Sequence, residues 1–437
     1  MAKRPHVVIV GAGFGGLAAT RALRHVDVDV TIVDRNNYHL FQPLLYQVAS
    51  GLLDPSAIAS PVRTIVRRSP NVDVLRAEVT SVDLNTRQVT TSVGPLDYDY
   101  LIMATGSVTD YFGNQHALMH SIGLKDMSEA LALRSRLLSC FERASLTTDA
   151  AARRRLLTFA IVGAGPTGVE YSGAVAELIK HVLPKDYRRV DFSEVSVVLV
   201  EAGERVLATF APRLSRLASR SLERKGVRII LGQSVRGVDD RGLVLDSGER
   251  IETSNVVWTA GVRATTPLEF VADARGRSGR VQVTESLHLA GHPEVFVIGD
   301  AAAVEQAGAV LPMLAPVAIQ GGKYVGGVIA ARLKGTASSP FHYRDKGTMA
   351  TVGRGAAVAQ IGPVHINGLV GWFIWIFIHL LYLVGFRNRA LALWSWAWNY
   401  FFWDRPVRLI IAPSADAETP EKARDGPPPT SDVASGI

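Results

Sequence analysis

Cysteine is almost absent from the chain, which has one, Cys140, among 437 residues. A single cysteine excludes an internal disulfide framework and any intramolecular pair of redox-active thiols. Enzymes that pass electrons through a pair of cysteines are excluded with it. In the apolar context LLSCF, Cys140 is predicted to be a small core residue.

Charged side chains are missing from one long stretch. No Asp, Glu, Lys or Arg occurs between Gly355 and Phe386, and six of the seven tryptophans lie between 372 and 403. As a helix, the apolar run 369–386 would approach the thickness of a bilayer, so a transmembrane span must be considered. His379 interrupts this run, but no second His or Cys stands at helical spacing, so we expect a packed residue and not a metal ligand.

The segment that follows argues against a span. Residues 390–403 are too few to return across a bilayer. A single span would leave Arg387, Arg389, Arg405 and Arg408 outside, against the positive-inside tendency. We therefore favour a helical hairpin that lies in the cytoplasmic interface of the membrane. We expect its tryptophans at the level of the lipid headgroups and its arginines at anionic phosphates. A buried dimer interface is the alternative, and the two can coexist.

A secretory signal is also missing, because MAKRPHVVIVGAG runs directly into a strand-like segment and a glycine turn. The main body is therefore predicted to stay in the cytoplasm. The formal net charge of +7 is not accompanied by an aromatic-basic motif, so we expect no nucleic-acid partner.

The residues that are present indicate a globular protein, with 48% hydrophobic residues and 39 glycines. The length predicts two large domains plus smaller pieces. Strand, glycine turn, helix and strand follow one another at 7–10, 11–16, 17–26 and 30–34. The same unit recurs at 159–201, with its helix predicted at 169–183. The fold class is therefore α/β, with two Rossmann-like dinucleotide-binding domains and a C-terminal helical segment.

The first glycine loop is GAGFGG at 11–16. Gly11 allows the tight turn, Gly13 lets the backbone approach a pyrophosphate, and Gly16 lets the helix pack close to the sheet. Asp34 ends the next strand 23 residues after Gly11, where a carboxylate can accept hydrogen bonds from a ribose diol. This context favours a dinucleotide site over a structural turn.

The second loop is GAGPTG at 163–168, and Glu201 is its strand-end acid. The gap from Gly163 to Glu201 is 38 residues, because 181–194 has the character of an insertion. An acid at this position favours NAD(H) over NADP(H), since it would repel a 2′-phosphate. The alternative is that Glu201 is only a solvated strand end.

Six strings identify a family resemblance: NNYHLFQPLLYQVASG (36–51), MATG (103–106), GAGPTGVE (163–170), WTAGV (258–262), VFVIGDAA (295–302) and APVAIQGGKY (315–324). With these strings the chain resembles type II NADH dehydrogenase, the single-subunit NADH:quinone oxidoreductase, over residues 6–408. FQPLLYQVA is the most specific string, whereas ATG and GD occur in many flavoprotein reductases.

The resemblance implies two nucleotide sites and no metal. The predicted FAD contacts are Gly11, Gly13, Gly15, Gly16, Asp34, Arg35, Gln42, Thr105, Gly106, Gly299, Asp300 and Ala318. The predicted NADH contacts are Gly163, Gly165, Thr167, Gly168, Glu201, Ala260 and Gly261. Asp300 would accept hydrogen bonds from the ribityl hydroxyls, although a helix N-cap is the alternative.

Glu170 and Gln320 are the predicted catalytic residues. Glu170 would position groups or handle a proton, although an acid in the first turn of a helix is also favoured by the helix dipole. Gln320 would face the quinone, or it is a structural helix residue. The family commonly carries further glutamines on this helix, and Pro316 and Gly321 stand in two of those places.

The implied domains are FAD-binding at 1–115 and 280–340, NADH-binding at 155–275, membrane-anchoring at 341–412, and a disordered tail at 413–437. The implied protein is a homodimer on the cytoplasmic face of the membrane, held to lipid by 369–403. No relay of carboxylates crosses the apolar segment, so we expect no ion pumping. A soluble-acceptor flavin reductase and a non-catalytic FAD- and NADH-binding sensor are the alternatives.

Overall fold

The computed structural model describes residues 4–267, 277–405 and 407–411. The predicted tail at 413–437 lies outside these residues. The helices of this part of the chain are α1 Phe14–Leu23, α2 Leu45–Ala49, α3 Pro55–Ile58, α4 Val62–Val66, α5 Gln115–His120, α6 Met127–Leu146, α7 Ala150–Leu157, α8 Pro166–His181, α9 Leu183–Asp186, α10 Pro212–Arg224, α11 Ala315–Leu333, α12 Gly368–Tyr382 and α13 Phe386–Phe402.

Two sheets, whose central strands are parallel, hold the two glycine loops. The strand order of the first sheet is His288–Leu289, His292–Val297, Tyr100–Met103, His6–Val10, Asp29–Asp34 and Val72–Arg76. The order of the second is Ile122–Gly123, Asn255–Trp258, Thr158–Val162, Ser196–Val200 and Val227–Ile230. The α/β fold with two such units is thereby confirmed.

The return of the chain near residue 295 is visible in the strand pairing. Val295, Phe296 and Val297 pair in parallel with Leu101, Ile102 and Met103, so a late strand completes the sheet that the N-terminus begins.

The remaining strands form small sheets of two or three strands. They are Val79–Asp83, Gln88–Thr91 and Gly94–Asp97; Val235–Asp239, Gly242–Leu245 and Arg250–Glu252; Thr348–Thr351, Ala357–Ile361 and Val364–Asn367; Ser107–Thr109 with Val262–Ala264; Tyr38–Leu40 with Ala59–Pro61; Val281–Gln282 with Ala302–Ala303; and Glu305–Gln306 with Ala309–Val310.

Both glycine-loop helices begin earlier than the periodicity predicts. α1 spans Phe14–Leu23 where 17–26 was expected, and α8 spans Pro166–His181 where 169–183 was expected. Each starts inside its loop, directly after the middle glycine. The end of α1 has a side-chain cause. The amide of Asn71 donates to the carbonyls of Leu23, Val26 and Val28, which turns the chain out of the helix and into the next strand.

The longest helix, α6, agrees with the sequence pattern. It begins at Met127 in a capping box, in which the Asp126 carboxylate accepts from the N–H of Glu129 while the Glu129 carboxylate accepts from the N–H of Asp126. Cys140 on this helix is buried and its thiol donates to Oδ1 of Asn255 at 3.1 Å. Its predicted place in the core is confirmed.

The charge-free segment ends with α12, which forms a helical hairpin with α13. α12 ends at Tyr382, before Gly385, whose φ of 89° breaks the helix. Within the described residues, none of the helices combines the length and the apolar character that crossing a membrane requires. The inner face of the hairpin packs on the body through Trp375, Ala392 and Trp396, all buried. The outer face is apolar and exposed at Leu369, Val370, Phe373, Phe377, Leu381, Phe386, Leu393, Trp394, Phe401 and Phe402.

The sequence predicts that the arginines of this region face outward, but in the structure some of them do not. Arg405 is 1% exposed and lies inside the body, because its guanidinium donates to the carbonyl of Ser50. Arg408 pairs with Asp186 at 2.9 Å. The expectation that Arg405 reaches lipid phosphates is therefore wrong, whereas Arg387 is exposed.

Asn71 should contribute to stability well beyond its size. We expect Asn71→Ala to lower the free energy of unfolding by about 1–2 kcal/mol, because three carbonyls lose their shared donor. Thermal unfolding of the full chain with its cofactor measures the effect. Asn85→Ala is the control, since that side chain is exposed. Equal melting temperatures for the two variants would contradict this role of Asn71.

Candidate functional site

The first glycine loop joins the strand His6–Val10 to α1. Gly11 has a φ of 104°, and a Cβ at Gly16 would lie 1.9 Å from the carbonyl oxygen of Gly11, so glycine is required at both. A Cβ at Gly13 would meet nothing within 4 Å. No side chain caps the first N–H groups of α1. The loop therefore leaves open backbone and free donors where a pyrophosphate would lie.

The strand-end acids hold the two loops in the same way. The Asp34 carboxylate accepts from the N–H of Ala12 at 2.7 Å and from the N–H of Asn36 at 2.7 Å. Glu201 accepts from the N–H of Ala164 at 2.6 Å and from the N–H of Gly203 at 2.8 Å.

A carboxylate offers about four acceptor positions, so each acid can still receive a ribose hydroxyl. Burial raises the pKa of Asp34 above its usual value, and the N–H groups of Ala12 and Asn36 oppose that rise. Neither acid is therefore only a solvated strand end.

The other predicted FAD residues gather around the start of α11 and the loop after Val297. A Cβ at Gly299 would lie 3.1 Å from the Cβ of Ala318, and a Cβ at Gly15 would lie 3.4 Å from the carbonyl oxygen of Ala318. Gly106 has a φ of 73° and open space around it. Thr105 donates its hydroxyl to the carbonyl of Thr265.

Asp300 is not a helix N-cap. It lies within the 3₁₀ turn Gly299–Ala301, accepts from the hydroxyl of Ser107, and stands 3.6 Å from Nζ of Lys125. Gln42 is exposed and donates to the carbonyl of Lys125 at 3.2 Å. Lys125 thus links two predicted FAD residues, and no sequence pattern had singled it out. Arg35 has an exposed side chain at the rim.

The second loop repeats the geometry of the first. Gly163 has a φ of 100°, and its Cβ would lie 2.5 Å from the Cα of Ala260. A Cβ at Gly168 would lie 1.9 Å from the carbonyl oxygen of Gly163, whereas a Cβ at Gly165 would meet nothing. Thr167 is exposed at the start of α8, whose first N–H groups have no side-chain cap. The ring of Phe112 covers Gly261.

Glu170 lies between the second loop and the C-terminal hairpin. The expectation that it stands in the first turn of its helix is wrong, because α8 begins at Pro166 and Glu170 is its fifth residue. The helix dipole therefore contributes little at this position. Its carboxyl is buried and accepts from the N–H of Thr351 at 3.2 Å. Burial raises the pKa of Glu170 to about 8, and the Thr351 N–H and the Trp375 indole only partly offset that rise.

Gln320 uses its side chain within the protein. Its amide donates to the carbonyl of Arg344 at 2.9 Å and accepts from the N–H of Arg344 at 3.0 Å. Gly321 is buried against Leu287 and Ile298, where a glutamine side chain would enter an apolar core. The side chains of this helix therefore leave few free polar groups for a quinone.

The sequence analysis made no prediction for several residues that lie beside Glu170. The hydroxyl of Tyr46 accepts from the amide of Gln47 at 2.8 Å, and the Gln47 carbonyl accepts from the indole of Trp396 at 2.6 Å. Burial, followed by the nearby Glu170 charge, raises the pKa of Tyr46 well above 10. Tyr46 and Gln47 belong to the string FQPLLYQVA, so that string was a signal, but nothing in it gave their roles.

Glu177 lies further along α8 than Glu170 and forms a buried ion pair with Arg405. Glu177 accepts from Nζ of Lys225 and from the N–H of Arg354, each at 2.7 Å, and its other oxygen lies 3.8 Å from the Arg405 guanidinium. Burial lowers the pKa of Arg405 to about 10, with Glu177 opposing, so Arg405 remains charged at neutral pH. No group of His, Cys, Asp and Glu in the described ranges could hold a metal ion.

Comparison with known proteins places this geometry in a family. The model of the pyridine nucleotide-disulphide oxidoreductases matches residues 5–322. The type II NADH:quinone oxidoreductase Ndh of Mycobacterium tuberculosis is 42% identical over 432 residues, which cover 95% of this chain and 92% of that protein. NdhA of the same organism, also a type II NADH:quinone oxidoreductase, is 43% identical over 416 residues, or 91% of this chain and 87% of that one.

The fold has a close counterpart among solved structures. NDH2 from Plasmodium falciparum, solved in complex with NADH, superposes with a TM-score of 0.84 at 19% identity. The match covers 94% of this chain and all of that one. At this level of identity the likeness concerns the fold.

Two substitutions in the first loop distinguish a glycine that contacts the cofactor from a glycine that the fold requires. We expect Gly13→Ala to fold, because its Cβ meets nothing, but to hold FAD about 10- to 100-fold more weakly, since the methyl group displaces the pyrophosphate from its donors. Gly16→Ala should lose soluble protein as well, because its Cβ collides with Gly11. The flavin-to-protein ratio and the yield of soluble protein measure both. Full flavin retention in Gly13→Ala would contradict this assignment.

Proposed function

Because the chain belongs to the pyridine nucleotide-disulphide oxidoreductase family, and within it to the type II NADH:quinone oxidoreductases, we propose that it oxidises NADH through bound FAD and reduces a membrane quinone. In the balanced reaction, NADH, one proton and a quinone give NAD⁺ and the quinol. The observation that carries the proposal is the pair of matching glycine loops, each with a strand-end acid bonded to its backbone.

The first loop is the proposed FAD site. α1 presents free N–H groups to the pyrophosphate, Asp34 receives the ribose hydroxyls, and Asp300 receives the ribityl hydroxyls. Ser107 and Lys125 hold the Asp300 carboxylate in place. When bound, FAD supplies the capacity to accept a hydride from NADH and to release the electron pair to the quinone.

The second loop is the proposed NADH site. α8 presents its N–H groups to the dinucleotide phosphates, Glu201 receives the adenosine ribose, and Ala260 and Gly261 line the path toward the flavin. Glu201 already accepts two backbone N–H groups in this position. A 2′-phosphate placed against this carboxylate would be repelled, which favours NADH over NADPH.

Glu170 is the proposed proton-handling residue. Its carboxyl is buried between α8, the strand Thr348–Thr351 and Trp375, at the junction of the nucleotide sites and the hairpin. A carboxylic acid that is neutral at pH 7 can supply a proton to a quinone oxygen that gains negative charge. Gln320 is proposed to shape the quinone side by holding the chain at Arg344.

The apolar outer face of the hairpin is the proposed membrane contact. Side chains such as Phe373, Phe377 and Phe401 are 58%, 65% and 73% exposed, which is unusual for large apolar residues in water. We propose that this face lies in the interface of the cytoplasmic leaflet, that the protein is a homodimer, and that it pumps no ions. The domain bounds predicted from the sequence are kept as part of the proposal.

Rapid mixing tests the reaction directly. We expect NADH, added without oxygen to the purified chain with FAD, to bleach the flavin absorbance, and a short-chain ubiquinone or menaquinone analogue to restore it. The two absorbance traces are the measurement. If neither quinone reoxidised the flavin, a soluble-acceptor reductase would replace the proposal. If NADH left the flavin oxidised, the protein would be a non-catalytic sensor.

The pKa of Glu170 predicts a pH dependence. Below about pH 8 Glu170 is protonated and can donate, and above it the carboxyl is ionised, so flavin reoxidation by quinone should slow as the pH rises through about 8. Glu170→Gln should be about 10- to 100-fold slower and should lose this inflection. Glu223→Gln, the same change on the exposed face of α10, is the control. An unchanged inflection in Glu170→Gln would refute the assignment.

A further inference from the structure

A strained tight turn lies between the two proposed nucleotide sites. Phe112 has a φ of 53°, and Gly113, which follows it, has a φ of 75°. The N–H of Asn114 closes the turn by donating to the carbonyl of Tyr111 at 2.9 Å. Two successive residues at positive φ inside such a bond are the pattern of a type I′ turn. Glycine, asparagine and aspartate are favoured at the first of these positions, whereas a bulky aromatic residue there is a genuine outlier.

Burial does not explain why a phenylalanine occupies this position. Phe112 is 67% exposed, so its ring gains little from leaving water. The far end of the ring lies on Gly261, where an added Cβ would come within 2.5 Å of Cζ. An exposed aromatic ring on a strained backbone indicates a contact with a molecule outside the folded chain, because strain of this kind is concentrated at ligand sites.

Hydrogen bonds before and after the turn hold Phe112 in this conformation. The N–H of Asp110 donates to the carbonyl of Gly261 at 3.0 Å, and the carbonyl of Asp110 accepts from the indole of Trp258 at 2.9 Å. The Asp110 carboxylate accepts from the N–H of Phe112 at 2.8 Å. On the other side, Asn114 caps α5 with its side chain. These bonds fix the place of the ring above Gly261.

The strand order of the second sheet puts this ring on the nicotinamide half of the proposed NADH site. The strand Thr158–Val162, which leads into the second glycine loop, lies between Asn255–Trp258 and Ser196–Val200. Glu201 follows one of these neighbours and Gly261 follows the other. A dinucleotide lies across the carboxyl ends of such strands, with its adenosine ribose at the acid. The nicotinamide end therefore extends toward Gly261 and the ring above it.

The same loop is continuous with the proposed FAD site. The strand Ser107–Thr109, which precedes the turn, pairs antiparallel with Val262–Ala264. The hydroxyl of Ser107 donates to the carboxylate of Asp300, the proposed partner of the ribityl chain. Phe112 thus lies on the segment that joins the two nucleotide sites. A hydride passes between nicotinamide and flavin only when the two rings are held in close contact, so this is a place where positioning affects the rate.

We propose that Phe112 contacts NADH, with its ring packed against the nicotinamide half of the bound substrate so that this half is held toward the flavin. The inference rests on the proposed oxidation of NADH and adds a substrate contact that no sequence pattern had singled out. The strained turn keeps the ring in place before the substrate arrives, so less conformational freedom is lost on binding. Aromatic packing of this kind contributes about 3- to 10-fold in affinity.

Substitutions in the full chain with FAD separate the ring from the strain of the turn. Phe112→Asn removes the ring and introduces a residue that tolerates positive φ, whereas Phe112→Tyr keeps both the ring and the strain. Ala307→Asn is the matched control. Ala307 is exposed, and with Gly308 it forms the same kind of turn in the hairpin 305–310, at φ values of 53° and 77°.

We expect Phe112→Asn to bind NADH about 3- to 10-fold more weakly and to reduce its flavin about 10-fold more slowly at saturating NADH. Phe112→Tyr and Ala307→Asn should behave as the wild type in both respects. The melting temperature should rise by about 1–3 °C in Phe112→Asn and in Ala307→Asn, because both relieve the same strain. Anaerobic rapid mixing gives the apparent Kd and the limiting rate, and thermal unfolding gives the melting temperature.

ADP identifies the half of the substrate that the ring contacts, because it lacks the nicotinamide and its ribose. We expect ADP to compete with NADH equally well in the wild type and in Phe112→Asn. Reoxidation of dithionite-reduced flavin by a short-chain ubiquinone analogue should also be the same in both, since this step does not involve NADH.

The outcomes distinguish this inference from the function on which it rests. If NADH did not reduce the flavin of the wild type, the proposed function itself would fall. If the wild type were reduced but Phe112→Asn matched Ala307→Asn in Kd and rate, the function would stand and the contact would be refuted. An equal loss of NADH and ADP binding in Phe112→Asn would also refute it, because the turn would then shape the whole site. Should Phe112→Asn fail to fold, Phe112→Gly, which also accepts positive φ, decides in its place.

Discussion

One interaction, used twice, organises the molecule: a strand-end carboxylate that accepts a hydrogen bond from the backbone of the preceding glycine loop. Asp34 holds Ala12 and Glu201 holds Ala164, at nearly equal distances. The bond fixes the loop against the neighbouring strand, and the loop in turn fixes the free N–H groups of α1 and α8. The two proposed phosphate sites and the two proposed ribose acceptors thus depend on the same local chemistry on two sheets with parallel central strands.

The C-terminal hairpin depends on a second set of buried contacts. Arg405 enters the body to reach Ser50 and Glu177, and Trp396 bonds to Gln47. Trp375 of the same hairpin lies beside Glu170, and burial raises the pKa of Glu170 to about 8. The hairpin therefore does more than present an apolar outer face, because it contributes to the dry environment in which a carboxylic acid stays protonated at neutral pH.

Much of the fold was predictable because it depends on short-range patterns in the sequence. The two strand–glycine–helix units, the single core cysteine and α6 each depend on residues close together in the chain. Helix bounds were less predictable. α1 ends where Asn71, 48 positions beyond Leu23, donates to its last carbonyl, and no local pattern around residues 17–26 contains that information. Glu170 was misplaced in the first turn for a similar reason, since α8 starts inside the glycine loop.

The sequence by itself determined the two nucleotide loops and their acids, because glycine at positive φ and a carboxylate at a strand end are needs of the local backbone. It also determined the family, through strings such as FQPLLYQVA. Only the tertiary structure decided the place of Arg405, which the linear sequence puts among the lipid-facing arginines and the fold buries against Ser50. Burial against distant segments reverses that interpretation, because a polar atom's partners and its pKa depend on whatever the fold brings around it.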